Sequence, residues 1–254
     1  MHPKFKGLLW LLITVVLGVV TAYGLPYFAR YVPWSVEKSM GRHLGGLPEN
    51  EVCFGKPTAR ASLEAVVHRL YPLYPDDSKF PISVEIISGS TVNAFATLGG
   101  KIYVYEGLLK QAQTPEELAG VLAHEIEHVK RRHIIQGVFV RLITVEVIHF
   151  LLSGGHFDPR LVSFLLNMRF GREQESEADQ GGLVRLRDAH ISVAGFEHFF
   201  ERAESMSNVP TVLMDHPATQ ERMQLVQKYL GGPSEPVLSQ EKWLGLQSIC
   251  RLNL

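Results

Sequence analysis

The chain has no excess of basic charge: 25 Lys and Arg stand against 26 Asp and Glu, a formal net charge of -1. That excludes a surface that holds nucleic acid by general electrostatics. It also lacks internal repeats and long low-complexity tracts. Its 254 residues therefore read as one sizeable domain with an appendage. It has only 2 cysteines, Cys53 and Cys250. In an oxidising compartment they can join and tie the two ends of the chain's main part together. In a cytoplasm they are two small buried residues.

Charge is missing altogether from Gly7 to Phe28, GLLWLLITVVLGVVTAYGLPYF. This run is long enough to cross a bilayer as a helix. It exceeds the apolar core of a cleaved signal peptide, about 7–15 residues. A buried core helix fits poorly, because the run is apolar on every side. Residues 1–30 are expected to form a transmembrane anchor in contact with lipid, with Val20-Thr21-Ala22 leaving signal cleavage as the alternative. Lys4 and Lys6 before it, against Arg30, Lys38 and Arg42 after it, leave the positive-inside rule nearly balanced.

What is present is a chemical stretch, Ala119 to His133, AGVLAHEIEHVKRRH. His124, Glu125 and His128 form an H-E-x-x-H pattern. Residues four apart share a helix face, so His124 and His128 can offer two imidazoles to one metal ion. Glu125, beside the first imidazole, can take a proton from water at an open coordination position. Thr114-Pro115-Glu116-Glu117 reads as a helix start, with Thr114 as cap. Leu118, Val121, Leu122 and Val129 recur at helical spacing.

Before that helix, Ile82–Ile87, Asn93–Ala96 and Lys101–Tyr105 read as strands, the last two joined through Gly99-Gly100. An edge strand of such a sheet can hold an extended peptide through backbone hydrogen bonds. Ala61–Tyr71 has helical spacing. Val138–Leu152 is a second apolar helix, too short and too charged to be a confident span. Tyr31–Gly46 reads as a connector lying along a membrane surface.

Further on, Arg172 to Gly182 reads REQESEADQGG. A two-histidine helix needs a third protein ligand, and Glu175 can supply it. Asp179, one turn on, can accept the outer N–H of a ligating imidazole. A third stretch, Asp215 to Arg222, reads DHPATQER, with Pro217 suited to a first helical turn.

HEIEH, ESEAD and HPATQER in this order resemble the M48 family of zinc metallopeptidases. That family includes membrane-bound CaaX-processing, HtpX-like and Oma1-like proteases and bacterial periplasmic members. The resemblance runs from about Val36 to Cys250. It implies one Zn2+ held by His124, His128 and Glu175, with Glu125 as the catalytic base and Asp179 supporting a ligand. It also implies that His216 and Arg222 lie beside the metal cleft. His216 then either covers the zinc at rest or helps hold the tetrahedral intermediate, and Arg222 positions His216 or the substrate.

The expected fold is α+β and mostly helical: a zincin-like domain, with a small sheet before the metal helix, behind an amino-terminal transmembrane helix. Residues 31–60 form the connector and 61–254 the metallopeptidase domain. The expected activity is zinc-dependent hydrolysis of extended protein or peptide substrates at a membrane, on the extracytoplasmic side, with no nucleic-acid partner. The alternative is a catalytically silent membrane-associated chaperone that keeps a zinc site.

Overall fold

The computed structural model describes residues 24–44, 51–141, 169–204 and 220–250, with isolated positions at 12, 16 and 18. Its centre is a single helix, Pro115–Lys130. Numbered along the chain, the helices are α1 (Leu25–Ala29), α2 (Trp34–Leu44), α3 (Pro57–Leu70), α4 (Glu106–Gln111), α5 (Pro115–Lys130) and α6 (His133–Arg141). After them come α7 (Arg172–Asp188), α8 (Ala194–Glu204), α9 (Gln220–Gln227) and α10 (Gln240–Gln247).

The start of α5 follows the sequence. Thr114 Oγ1 accepts from the Glu117 N–H, and Pro115 sits in the first turn. The Glu117 carboxylate accepts from the Gln113 N–H, one residue before the cap. The expected apolar stripe proves too narrow a description. Every residue from Glu117 to Val129 is buried, the His and Glu residues included. The helix is walled by α7, α8, α3, α6 and the sheet.

The three strands fall where their β-branched and aromatic residues place them: β1 Ser83–Ile87, β2 Ala94–Ala96 and β3 Lys101–Tyr105. The sheet order is β1-β3-β2. β1 runs parallel to β3, pairing Ser83 with Lys101 through Ile87 with Tyr105. β2 is antiparallel to β3, with Ala96 opposite Ile102. The connecting turn uses Gly99 and Gly100, both at φ 80, which an L side chain rarely adopts. Tyr105 N–H donates to Asn93 O and Thr97 N–H to Lys101 O. The backbone of Ala94 and Ala96 between them therefore points away from β3, toward α5.

The close approach of α7 to α5 depends on two glycines. A Cβ at Gly181 would lie 2.3 Å from Glu127 Oε2, and one at Gly182 would lie 3.2 Å from the His124 backbone nitrogen. This contact brings the Glu175 and Asp179 face onto the histidine face.

Cys53 and Cys250 are joined as a disulfide. Cys53 is tied to the sheet by its N–H bond to Ile86 O, and Cys250 follows α10, so the bond fastens α10 to the sheet. Residues 34–44 are not a free connector. They form α2, which buries Glu37 against the domain. Among the described residues no helix is long and apolar enough to cross a membrane. The expected anchor, residues 1–30, lies outside the described residues except at 12, 16, 18 and 24–30, as does the part of the second apolar stretch beyond Arg141.

Candidate metal centre

His124 and His128 stand one turn apart on α5, and Glu175 comes from the first turn of α7. All three are buried. The two imidazole Nε2 atoms lie 3.0 Å apart. Glu175 Oε2 is 3.5 Å from His124 Nε2, and Oε1 is 3.6 Å from His128 Nε2. A tetrahedral zinc with ligand bonds of about 2.0–2.1 Å sets its ligands roughly 3.3–3.4 Å apart. The three separations bracket that value.

The hydrogen bonds behind the ligands fix their tautomers. His124 Nδ1 lies 2.9 Å from Asp179 Oδ1. An ionised carboxylate only accepts, so Nδ1 carries the proton and Nε2 keeps its lone pair. Arg222 grips the same carboxylate through Nε at 2.5 Å and a terminal nitrogen at 2.7 Å. Burial pushes the Asp179 carboxyl up, but His124 and Arg222 outweigh it and hold its pKa below the usual carboxylate value. Arg222 also reaches Glu175 Oε2 at 3.3 Å.

His128 is supported differently. Its Nδ1 lies 3.0 Å from His133 Nδ1, and His133 Nε2 lies 3.1 Å from Glu177 Oε2. Burial pushes the His133 pKa down to about 4, against the pull of Glu177. The ring is therefore neutral near pH 7. It donates Nε2–H to Glu177 and accepts at Nδ1 from His128. That leaves the His128 Nε2 lone pair facing that of His124. Two lone pairs and a carboxylate converging in a buried space form a donor set that could hold a metal ion. Nitrogen and oxygen donors of this kind suit zinc. Phe170 stacks on the His128 ring at a centroid distance of 3.9 Å.

Glu125 is buried beside His124, and its Oε2 accepts from the Ala96 N–H of β2 at 2.9 Å. The edge strand and the candidate base are thus in direct contact.

The structure brings together His124, Glu125, His128, Glu175, Asp179 and Arg222. Arg222 sits on Asp179 and Glu175. His216 lies outside the described residues. Neither His133 nor Glu177 is among the site positions read from the sequence. His133 is five residues past His128, off the face that a continuous helix would share. Arg132, at φ 63, breaks the helix and swings His133 back.

Comparison with known proteins accords with this geometry. The model of peptidase family M48 matches residues 57–230, more than half of the chain. The mitochondrial metalloendopeptidase OMA1 of Schizosaccharomyces pombe is 30% identical over 155 residues, covering 58% of this chain and 46% of that protein. The metalloprotease LoiP of Escherichia coli is 33% identical over 154 residues, covering 57% and 61%. A putative beta-barrel assembly-enhancing protease of Vibrio cholerae is 27% identical over 195 residues, covering 70% and 40%. The chain spans about half the length of these relatives. The matched stretch contains both helices that carry the converging donors, and the chain belongs to peptidase family M48.

Proposed function

We propose that this protein is a membrane-anchored zinc endopeptidase. The observation that carries the reading is the convergence of His124 Nε2, His128 Nε2 and Glu175 on one buried point, with the Glu125 carboxylate beside it. Zinc bound there would supply a Lewis acid and make a coordinated water acidic near pH 7.

The protein groups divide the remaining work. Glu125, steadied by the Ala96 N–H, takes the proton of the attacking water and later delivers it to the leaving amine. The β2 edge, which lies against Glu125, is the place for an extended substrate to add as a strand. Asp179 and the His133–Glu177 pair hold the two imidazoles in their lone-pair-inward tautomers. We assign His216 to the cleft from its place in the family pattern, either covering the metal at rest or stabilising the tetrahedral intermediate.

Three features support the membrane placement. The uncharged run Gly7–Phe28 is of spanning length. At its end Tyr27, Phe28 and Tyr31 are 53%, 66% and 68% exposed. Tyr27 packs edge-to-face with both Phe28 and Tyr31, a ring cluster suited to a headgroup layer. The Cys53–Cys250 bond favours an oxidising compartment for the catalytic domain. We place the domain on the extracytoplasmic side and take misfolded membrane or envelope proteins as its substrates. The relatives named as a beta-barrel assembly-enhancing protease and a mitochondrial metalloendopeptidase accord with that class.

The test is Glu125→Gln in the full chain. Bound zinc, measured per molecule, should stay at the wild-type level while casein cleavage falls about 10²–10⁴-fold. Undiminished cleavage would remove Glu125 from the role of base. A wild type that binds zinc and cleaves nothing would favour the chaperone reading.

A further inference from the structure

Helix α2 lies outside the stretch matched by the family model, which begins at residue 57. It nevertheless reaches both the β2–β3 turn and the end of the metal helix through one carboxylate. Glu37 is 1% exposed. Its Oε2 accepts from Arg132 Nε at 2.8 Å and pairs with a terminal nitrogen of the same guanidinium at 2.7 Å. Its Oε1 accepts from the Gly99 N–H at 3.3 Å.

Each contact leads to a different reacting group. Gly99 opens the turn of the hairpin that carries Ala96, and the Ala96 N–H holds Glu125. Arg132 ends the metal helix and immediately precedes His133, which bonds the ligand His128. Arg132 is in the left-handed region, an unfavourable place for a long side chain. It is held there by Glu37 and by a bond from its guanidinium to Val32 O at 2.8 Å, and it lies over the Trp34 ring. The helix also rests directly on the hairpin. A Cβ at Gly41 would lie 2.3 Å from Leu98 O, and one at Gly100 would meet the Trp34 ring at 3.1 Å.

We propose that α2 is a strap across the cleft and that Glu37 is a positioning residue, fixing Glu125 relative to His128 by tying the β2–β3 turn to the end of α5. Glu37 touches no reacting atom. It acts through Gly99 and Arg132. Its effect on turnover rests on the peptidase reading, but the mechanical tie does not. The segment that leaves the apolar run is then part of the working site as well as a tether.

The experiment compares full-length, zinc-loaded wild type with Glu37→Gln and Gly41→Ala, taking exposed Ser35→Ala as control. Glu37→Gln keeps shape and the Gly99 contact while removing the charge. Gly41→Ala lifts the helix off Leu98 without touching Glu37. Both should lower kcat about tenfold per zinc-loaded molecule, with KM within about twofold, since small misplacements of reacting groups cost rate before binding. Backbone hydrogen exchange over residues 93–100 should quicken about fivefold in both, as local opening becomes easier. Ser35→Ala should match wild type in both readings.

Unchanged kcat per zinc-loaded molecule beside a lowered melting temperature would reduce α2 to a structural brace and overturn the proposal. So would unchanged exchange over 93–100. If wild type cleaves nothing, the peptidase reading fails and exchange alone decides the tie. Should both variants fail to fold, wild-type exchange decides: amides of 34–44 that open well ahead of those of 93–100 would rule out a strap.

Discussion

Glu125 and Glu127 lie two residues apart on α5 and serve opposite faces of it. On the metal face, Glu125, Glu175 and Asp179 gather around two imidazole lone pairs and the Arg222 guanidinium. On the other face, Glu127 and Asp77 gather around Arg185 and Lys130. Arg185 is wholly buried. It donates twice to Glu127 Oε1, at 2.7 and 3.1 Å, to both Asp77 oxygens, and to Leu70 O at 2.8 Å. Asp77 accepts further from Lys130 and from the N–H groups of Leu73 and Tyr74. That face supplies its own cations. The metal face turns two imidazole nitrogens and the Glu175 carboxylate toward one shared point where a metal ion could sit. Burial of charge alone therefore does not mark a functional site. What separates the faces is the convergence of two imidazole nitrogens and a carboxylate oxygen on one point.

The largest effect expected from breaking this contrast falls on the self-completed face. Arg185→Met leaves two carboxylates buried without their main partner, and removing one member of a buried pair costs about 3–5 kcal/mol. Urea denaturation of the zinc-loaded protein should show that loss, with cleavage per folded molecule changed far less. A loss below about 1 kcal/mol would mean the cluster behaves like a surface pair.

On the metal face the same comparison is made between the two ligands. His124 is steadied by an ionised carboxylate that Arg222 clamps, whereas His128 is steadied by a neutral ring. Asp179→Asn should weaken zinc binding about 10–100-fold, the usual cost of losing such an outer partner. His133→Ala should weaken it by about tenfold, since Phe170 still stacks on the His128 ring. Competition with a chromophoric chelator measures both. Equal affinity for His133→Ala and wild type would give the orientation of His128 to Phe170 instead.

The metal face was far more legible in the sequence than its opposite. Local chemistry writes α5, its Thr114 cap, the strand limits and the three motif stretches, because each depends on residues close together in the chain. The Arg185 cluster has no such signature. Its partners lie at positions 77 and 127, and only the packing of α7 on α5 unites them. His133 has no helical register with His128, because the backbone turns left-handed at Arg132 between them. Glu37 sat in what read as a connector, and nothing short of tertiary contact shows that its carboxylate is buried on Arg132. Nothing near Arg222 in the chain signals that it is buried, and Asp179 explains why it is.

The smallest expected effect is a difference in slope, and it sharpens the contrast between Asp77 and Glu37, each a buried carboxylate on a buried arginine. Burial raises both. For Asp77 it is outweighed by hydrogen bonds from Arg185, Lys130 and two backbone N–H groups, so its pKa lies below the usual value. For Glu37 burial wins over Arg132 and Gly99, so its pKa lies above it. As pH falls, the unfolded chain protonates Asp77 first, near about 3.9. The stability Asp77 contributes is therefore complete above that pH and is lost below it, toward its folded value. Glu37 runs the other way. The folded protein takes its proton first, so its contribution is complete at low pH and lost as pH rises through the folded value. Urea titrations across the acid range should show the wild-type advantage over Asp77→Asn shrinking below about pH 4. The wild-type standing against Glu37→Gln should instead improve as pH falls. Parallel curves for both variants would mean that the two pairs are electrostatically alike and that the extra donors on Asp77 do not set its charge.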